Sequence, residues 1–283
     1  MSSQLEFRGR TFSLDRVAVM GVLNVTPDSF SDGGLWLDAD AAVKHGVQMV
    51  QDGASIIDVG GESTRPDAEP VDLDEELRRV IPVIERLMTE IDAPISIDTR
   101  KAEVAEAALA AGASIVNDTL GEEGDAQMAA VAARFDSGFI TMHSRGTPRT
   151  MRSLNRYGDV VRDVREWLRT RAMDLESSGI RRDAVVLDPG FGFAKSPEQN
   201  LRLLNHLEEL VDLGYPVLAG TSRKSFIGAV SGLAEDQRLE GTAATIAVAV
   251  LKGAAIVRVH DVFEMARVVR MAEAIRSETV AES

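Results

Sequence analysis

Three phrases far apart in the chain share one pattern: "DGASIIDVGGES" from Asp52, "AGASIVNDT" from Ala111 and "KGAAIVRVHDV" from Lys252. In each, a glycine ends a stretch of helical spacing, as a left-handed cap does. Two or three residues later a β-branched run begins, and it stops on a polar group. Each phrase therefore reads as a helix feeding a strand. Five further apolar runs resemble those strands: "VAVMGVLNVT" (17–26), "PISIDT" (94–99), "GFITMH" (138–143), "AVVLDPG" (184–190) and "PVLAGTS" (216–222). They are apolar almost throughout, as strands covered on both faces must be.

The intervening segments space their apolar residues three and four apart, the stripe of a helix laid on a sheet. They include "DADAAVKHGVQMVQDG", "DLDEELRRVIPVIERLM", "KAEVAEAALAAG", "DAQMAAVAARF", "YGDVVRDVREWLRTRAMDLESSG", "SPEQNLRLLNHLEELVDLG", "LEGTAATIAVAVLKG" and "FEMARVVRMAEAIRSE". Strict alternation predicts parallel strands, and about eight such units favour a closed (β/α)8 TIM barrel over a doubly wound open sheet. "LEFRGRTFSL" (5–14) alternates around Arg8-Gly9 and is expected to form a hairpin closing the bottom of the barrel. No Pro/Gly/Ser-rich linker divides the chain, so one domain is expected over 1–283, with the barrel over 17–277.

With 45% hydrophobic and 27% charged residues, the chain can build a sizeable core. It has no cysteine, which excludes disulfides and thiolate metal sites and suits a reducing compartment. "MSSQLEFRGR" is charged where a signal peptide needs an apolar run, and no stretch approaches the roughly 18 apolar residues of a membrane span. A cytoplasmic protein is expected. A net charge of −14 argues against nucleic acid and anionic membranes as partners. Local clusters of cations, such as "GTSRKS" at 220–225, gain weight against that background.

Barrel enzymes build their sites where strands end at the C-terminal face. Here the strands end on Asn24, Asp58, Asp98, Asn117, Met142-His143, Asp188, Ser222-Arg223-Lys224 and Arg258-His260. Polar residues also stand wherever a strand meets a loop, so any one of these serves equally well as a cap. Asp58 and Asp118 read as structural, bonding neighbouring amides in tight turns. Asp98, Asn117 and Asp188 supply acceptors, while Arg223, Lys224, Arg258 and His260 supply charge or donors. A carboxylate takes two parallel N–H bonds well, so the set suits the N–C–N edge of a flat heterocycle, with the remaining cations facing an anion. "GTSRKS" lacks the glycine that a phosphate loop needs before its lysine, and "GFGFAK" lacks the third glycine of a dinucleotide fingerprint. His45, His143, His206 and His260 show no zinc spacing, and His45 and His206 fall within helical patterns.

Read together, these stretches resemble the dihydropteroate synthase family. The likeness runs in order through "MGVLNVTPDSFSDGG", "IDVGGESTRP", "IDTRKAEVAEAAL", "IVND", "MHSRGTP", "LDPGFGFAKSPEQNLRLL", "GTSRKSFIG" and "VRVHDV". It implies condensation of 6-hydroxymethyl-7,8-dihydropterin diphosphate with 4-aminobenzoate, releasing pyrophosphate, by an SN1-like step. It further implies that Asp98, Asn117 and Asp188 bond the pterin edge, with Lys224 on the ring carbonyl and Met142 against the ring. Arg258 would stack on the pterin and, with His260, Arg65 and Asn24, hold the diphosphate; Asn24 would also ligate Mg2+. Thr64, Pro66, Phe193 and Ser222 match positions around 4-aminobenzoate, with Arg223 and Gly220 beside them. Asp98, Lys224, Arg258 and His260 are the expected catalytic set. The family also suggests a homodimer through "TAATIAVAVLKG", a helix whose apolar character ordinary barrel packing explains equally well. The alternatives are a pterin-dependent methyltransferase module, which has no use for diphosphate-binding cations, and a non-catalytic pterin-binding protein.

Glu122, Glu123 and Ser144 depart from what such a family leads one to expect, making one rim loop more acidic. "TPDSFSDGG" and "GESTRPDAEP" are long, rich in Gly, Pro and Ser, and attached to the strands carrying Asn24 and Thr64. They are expected to close over bound pyrophosphate and complete the aminobenzoate pocket. Calorimetric titration of 4-aminobenzoate should accordingly give no binding heat with the free protein and clear saturation once pyrophosphate and Mg2+ are present; tight binding to the free protein would exclude this order.

Overall fold

Parallel strands need cover on both faces, and the chain provides it by returning each strand through a helix on the outside of a ring. The computed structural model describes residues 4–26, 34–63, 69–124, 126–147 and 149–279. A two-stranded antiparallel hairpin comes first, β1 (Gln4–Phe7) with β2 (Arg10–Ser13). Its turn places both Arg8 (φ 50°) and Gly9 (φ 68°) in the left-handed region, as a two-residue turn matching strand twist requires. Eight parallel strands follow: β3 (Ala18–Asn24), β4 (Ile56–Gly60), β5 (Ile95–Thr99), β6 (Ile115–Asp118), β7 (Gly138–Met142), β8 (Val185–Asp188), β9 (Leu218–Ala219) and β10 (Ile256–Val259).

The hydrogen-bonded order is β8-β7-β6-β5-β4-β3-β10-β9. A parallel bridge between Leu187 and Val217 joins its two ends, so the sheet is a nearly closed barrel. The helices α1 (Gly34–Gln51), α2 (Leu73–Glu90), α3 (Ala102–Ala110), α4 (Ala126–Arg134), α5 (Val160–Ser177), α6 (Pro197–Asn205), α7 (Glu208–Val211), α8 (Ser225–Ser231), α9 (Leu239–Leu251) and α10 (Val262–Ser277) lie around it. The (β/α)8 barrel and its N-terminal hairpin are as the sequence led us to expect.

Three local differences stand out. "SPEQNLRLLNHLEELVDLG" forms two helices, α6 and α7, because the chain leaves helical geometry at His206, the C-cap of α6. His206 therefore sits between helices, where it lies 3.3 Å from Glu209. α8 arises within "SRKSFIGAVSG", which carried no separate helical expectation; it buries Phe226 and Ile227 and ends at Gly232 with φ 74°. β9 has only two residues, the rest of "PVLAGTS" being bridge and turn.

The core divides in two along the strand period. Outward side chains such as Leu23, Ile57, Val59, Ile97 and Val116 meet the helices in the larger cluster. Inward side chains Ala18, Met20, Ile56, Ile115, Ile140, Val186, Leu218 and Ile256 form a second cluster with Leu5 and Phe7 of the hairpin. The hairpin is thus an apolar plug at the N-terminal end of the barrel, and Arg8 fastens its tip by donating from Nη1 to the Leu109 carbonyl at 2.8 Å. Phe7 is 1% exposed. Phe7→Ala should lower stability by about 3–5 kcal/mol, read as a lower urea midpoint with an unchanged slope; a loss below about 1 kcal/mol would show that the plug is dispensable.

Candidate active site

Side chains on a strand return to the same face every second residue. Two positions beyond the inward apolar layer, the strands therefore present Val22, Asp58, Asn117, Met142, Asp188, Gly220 and Arg258, and Asp98 stands two beyond buried Ser96. Pairing sets them side by side: Gly60 beside Asp98, Asp98 beside Asn117, and Met142 beside Asp188. Asp58, Asp98, Asn117, Asp188 and Arg258 among these turn the upper barrel into a charged mouth. Asp58, Asp98, Asn117 and Asp188 are all buried there.

Arg258 links the group. Its Nε donates to Asp58 Oδ2 at 2.6 Å, and its Nη2 donates to Asp98 Oδ2 at 2.7 Å. Asn117 Nδ2 donates to the same Asp58 oxygen at 3.1 Å, and Thr119 Oγ1 reaches Asp98 Oδ1 at 3.4 Å. Gly190 N donates to Asp188 Oδ1 at 2.7 Å. Asn117 Oδ1 is buried with no hydrogen-bond partner among the described residues. Lys224 lies with its ammonium 4.2 Å from the centre of the Phe193 ring. Ser222 Oγ and His260 Nδ1 are 3.0 Å apart.

Burial and neighbouring charge shift these groups. Burial raises Asp98 to about 7 against the pull of Arg258, and raises Asp188 to about 6 against the Gly190 amide and Lys224. Burial, followed by the nearby Arg258, brings Lys224 down to about 8. Burial also disfavours the charge on Arg258, but Asp58 and Asp98 outweigh it and hold the guanidinium above its ordinary value. His260 is brought to about 3 by burial and then by Arg258, Arg223 and Lys224. It is a neutral imidazole in this setting, a hydrogen-bonding group rather than one more cation.

A cavity of about 320 Å3 opens above this layer, lined in part by Asn24, Phe193, Ser222, Lys224, Arg258 and His260. Gly220 and Arg223 also border it. Asp58, Asp98 and Asn117 do not, so the Arg258 guanidinium stands between them and the open space. Met142 is buried at the end of β7, and its Cγ lies 3.2 Å from the position a Gly190 side chain would take. Thr64, Arg65 and Pro66 lie outside the described residues, as do parts of the two long loops.

Two readings change. Asp58 does not bond neighbouring amides in a turn; it receives Arg258 and Asn117 from across the barrel. Asp118 does accept its Leu120 amide at 3.0 Å, as expected of a turn residue. Arg223 points its guanidinium at Asp261, with Nε 3.0 Å from Oδ2, so much of its charge is already paired. Lys195 and His143 carry a buried network that sequence reasoning passed over. The signal available for Asp58 was parity, since like Asn117, Asp188 and Arg258 it stands two positions beyond an inward apolar residue.

Fold and site together define a (β/α)8 enzyme whose mouth offers buried carboxylates and an amide on one side and cations on the other. A family profile described as pterin binding enzyme matches residues 20–260. The chain is 49% identical over 261 residues to the dihydropteroate synthase of Synechocystis, covering 92% of this chain and 90% of that protein. Among solved structures it is similar to dihydropteroate synthase from Clostridium difficile with pteroic acid, at 48% identity and a TM-score of 0.87 over 92% of this chain and 97% of that one. The enzyme from Xanthomonas albilineans with 4-aminobenzoic acid matches at 43% identity and a TM-score of 0.91 over 99% of this chain and 100% of that one. The chain belongs to the pterin-binding enzymes and, within them, to the dihydropteroate synthases.

The raised value of Asp188 has a consequence for stability. Between pH 4 and pH 6 the folded protein keeps a proton that the unfolded chain has lost, so this group makes stability fall as pH rises through that window. The effect is at most about 3 kcal/mol. Asp188→Asn should therefore unfold at higher urea than the parent at pH 8, with the difference shrinking towards pH 4; a difference independent of pH would contradict the assignment.

Proposed function

We infer that this chain condenses 6-hydroxymethyl-7,8-dihydropterin diphosphate with 4-aminobenzoate, giving 7,8-dihydropteroate and pyrophosphate. The observation that carries the reading is the convergence of Asp98, Asn117, Asp188, Lys224 and Arg258 at the C-terminal mouth of the barrel, beside the cavity that Lys224 and Arg258 line. In it, Asp98, Asn117 and Asp188 bond the pyrimidine edge of the pterin, Lys224 faces the ring carbonyl and Met142 packs below. Family membership and the ligands of the related structures support these roles.

Arg258 donates to both Asp58 and Asp98. A pterin that takes Asp98 frees that arm of the guanidinium, while Asp58 retains Nε, so the arginine can lie over the ring and reach the diphosphate. Ser222 and His260 stand beside it as hydrogen-bonding groups, and Arg65 and Asn24 complete the diphosphate site. Thr64, Pro66, Phe193, Gly220 and Ser222 surround 4-aminobenzoate, with Arg223, anchored to Asp261, at its edge.

Heterolysis of the C–O bond at the pterin methylene sends the electron pair to pyrophosphate, whose charge Lys224 and Arg258 help to spread. The positive charge left on the dihydropterin is stabilised by the Asp98 carboxylate. The aniline nitrogen forms the new C–N bond and then loses its proton to solvent, so no strong general base is needed.

Among the described residues no group of three or more His, Asp or Glu gathers as a metal cage. One amide oxygen, Asn24, at the cavity edge fits an ion such as Mg2+ that keeps most of its waters and takes its remaining ligands from a diphosphate. Bound there, Mg2+ would neutralise charge on the leaving group. The paired cations favour this reading over methyl transfer, which would leave them without an anion.

No helix among the described residues is long and apolar enough to cross a membrane, and we place the protein in the cytoplasm. Val248 and Leu251 of α9 and Phe263, Met271 and Ile275 of α10 are exposed apolar side chains on adjacent helices, a surface suited to a homodimer.

Mixing both substrates with Mg2+ should release pyrophosphate in step with dihydropteroate, and chelation with EDTA should stop it. Asp98→Asn should lower kcat by about 100-fold while the variant still melts cooperatively; pterin binding without turnover in the parent protein would reduce the reading to a binding module.

A further inference from the structure

Residues 190–195, which carry Phe193, adopt an unusual backbone. Left-handed φ values recur at every second residue: Gly190 (68°), Gly192 (82°) and Ala194 (49°). Glycine takes this region freely, but alanine there costs roughly 1–3 kcal/mol. The turn is also tightly placed, since a Cβ on Gly190 would fall 2.0 Å from the His143 carbonyl oxygen. Something must hold it in shape.

On one side Asn200 of α6 does so: its Oδ1 accepts from Gly192 N at 2.7 Å, and its Nδ2 donates to Ser196 O at 2.8 Å. On the other side stands Lys195, whose side chain turns back beneath the loop. Its Nζ lies 2.9 Å from Gly190 O, 3.0 Å from Phe193 O, 3.3 Å from His143 O and 3.1 Å from His143 Nδ1. Four acceptors thus surround three ammonium protons.

We propose that Lys195 is a positioning residue for 4-aminobenzoate: with His143 as its acceptor, its buried ammonium gathers the Gly190 and Phe193 carbonyls and so sets the Phe193 ring at the cavity wall. The proposal rests on the reading of Phe193 as part of the aminobenzoate pocket. Lys195 does not line the cavity, whereas Gly192 and Phe193 do, so it acts through the loop. The same ring faces the Lys224 ammonium, which ties the loop's shape to the group beside the pterin.

His143 is suited to the acceptor role. It is fully buried, with the Trp167 ring edge-on at 5.2 Å and the Tyr157 ring at 6.0 Å. Burial, with Lys195 and Arg145 nearby, holds it well below its ordinary value, so the imidazole is neutral. Accepting at Nδ1 places its proton on Nε2. That nitrogen has no hydrogen-bond partner among the described residues, and its nearest carboxylate, Glu122, lies 3.7 Å away. The acidic rim loop that looked out of place in the sequence thus sits behind this pair.

An apolar side chain would fill the Lys195 site without the penalty of burying an ammonium. Burial brings the lysine down to about 7, a measure of that penalty. What the Nζ donors provide, and methionine would not, is the inward pull on the loop carbonyls.

Steady-state kinetics of Lys195→Met test this. The expected result is a KM for 4-aminobenzoate raised about tenfold or more, with kcat and the KM for the pterin diphosphate within about threefold. In a Phe193→Ala background the same substitution should change the aminobenzoate KM less than twofold, because the ring it positions is gone. Additive effects, a parallel rise in both KM values, or an unchanged aminobenzoate KM would each overturn the proposal. Lack of turnover in the unsubstituted protein would instead count against the functional reading, and it shows in the parent alone. Should Lys195→Met not fold, lysine-selective 15N spectra of the unsubstituted protein decide. The Lys195 Nζ resonance should move more with 7,8-dihydropteroate than with 6-hydroxymethyl-7,8-dihydropterin, which lacks the aminobenzoate; equal shifts would refute the role.

Discussion

The bonds from Arg258 to Asp58 and Asp98 are the interaction on which the mouth of the barrel depends. Arg258 and Asp58 are 200 residues apart in the chain, and they meet only because β10 pairs with β3 and β3 with β4. Both carboxylates are withdrawn from water, so each needs a partner, and removing one member of such a group costs about 3–5 kcal/mol. The network thereby couples ring closure to the charge state of the site. Asp58 holds the guanidinium at its Nε.

The site works against the protein's own sign. A chain with net charge −14 repels anions at long range, yet Lys224 and Arg258 line one cavity at the barrel mouth. Their charge is held locally: Arg258 is balanced by two carboxylates, and Arg223 is paired with Asp261. His260, crowded by three cations, stays neutral. The result is a set of hydrogen-bond donors held in fixed positions by carboxylate partners inside an acidic protein.

Much of the architecture was legible because it follows from periodicity. Apolar runs of strand length alternating with amphipathic helices, several of them ending on a glycine, leave few arrangements other than parallel strands with outer helices. The parts that were not legible depend on what the chain meets after folding. "SPEQNLRLLNHLEELVDLG" has one continuous apolar stripe, but the backbone breaks at His206 and resumes as α7. α8 is too short to show a period of its own. Lys195 resembles any exposed lysine near a helix start; its burial among carbonyls comes from the fold of a turn whose left-handed residues bring them together.

By itself, the order of residues determined the parity of each strand: an inward layer, apolar except at Ser96, followed two positions later by Asp58, Asp98, Asn117, Asp188 and Arg258. Local periodicity suffices for that, because a strand's facing needs no knowledge of its neighbours. Which acid holds which cation was decided by the closed barrel alone. Distance between side chains from distant strands is set by register and curvature, so only the ring could place Arg258 on Asp58, leave His260 uncharged and draw Lys195 beneath Phe193.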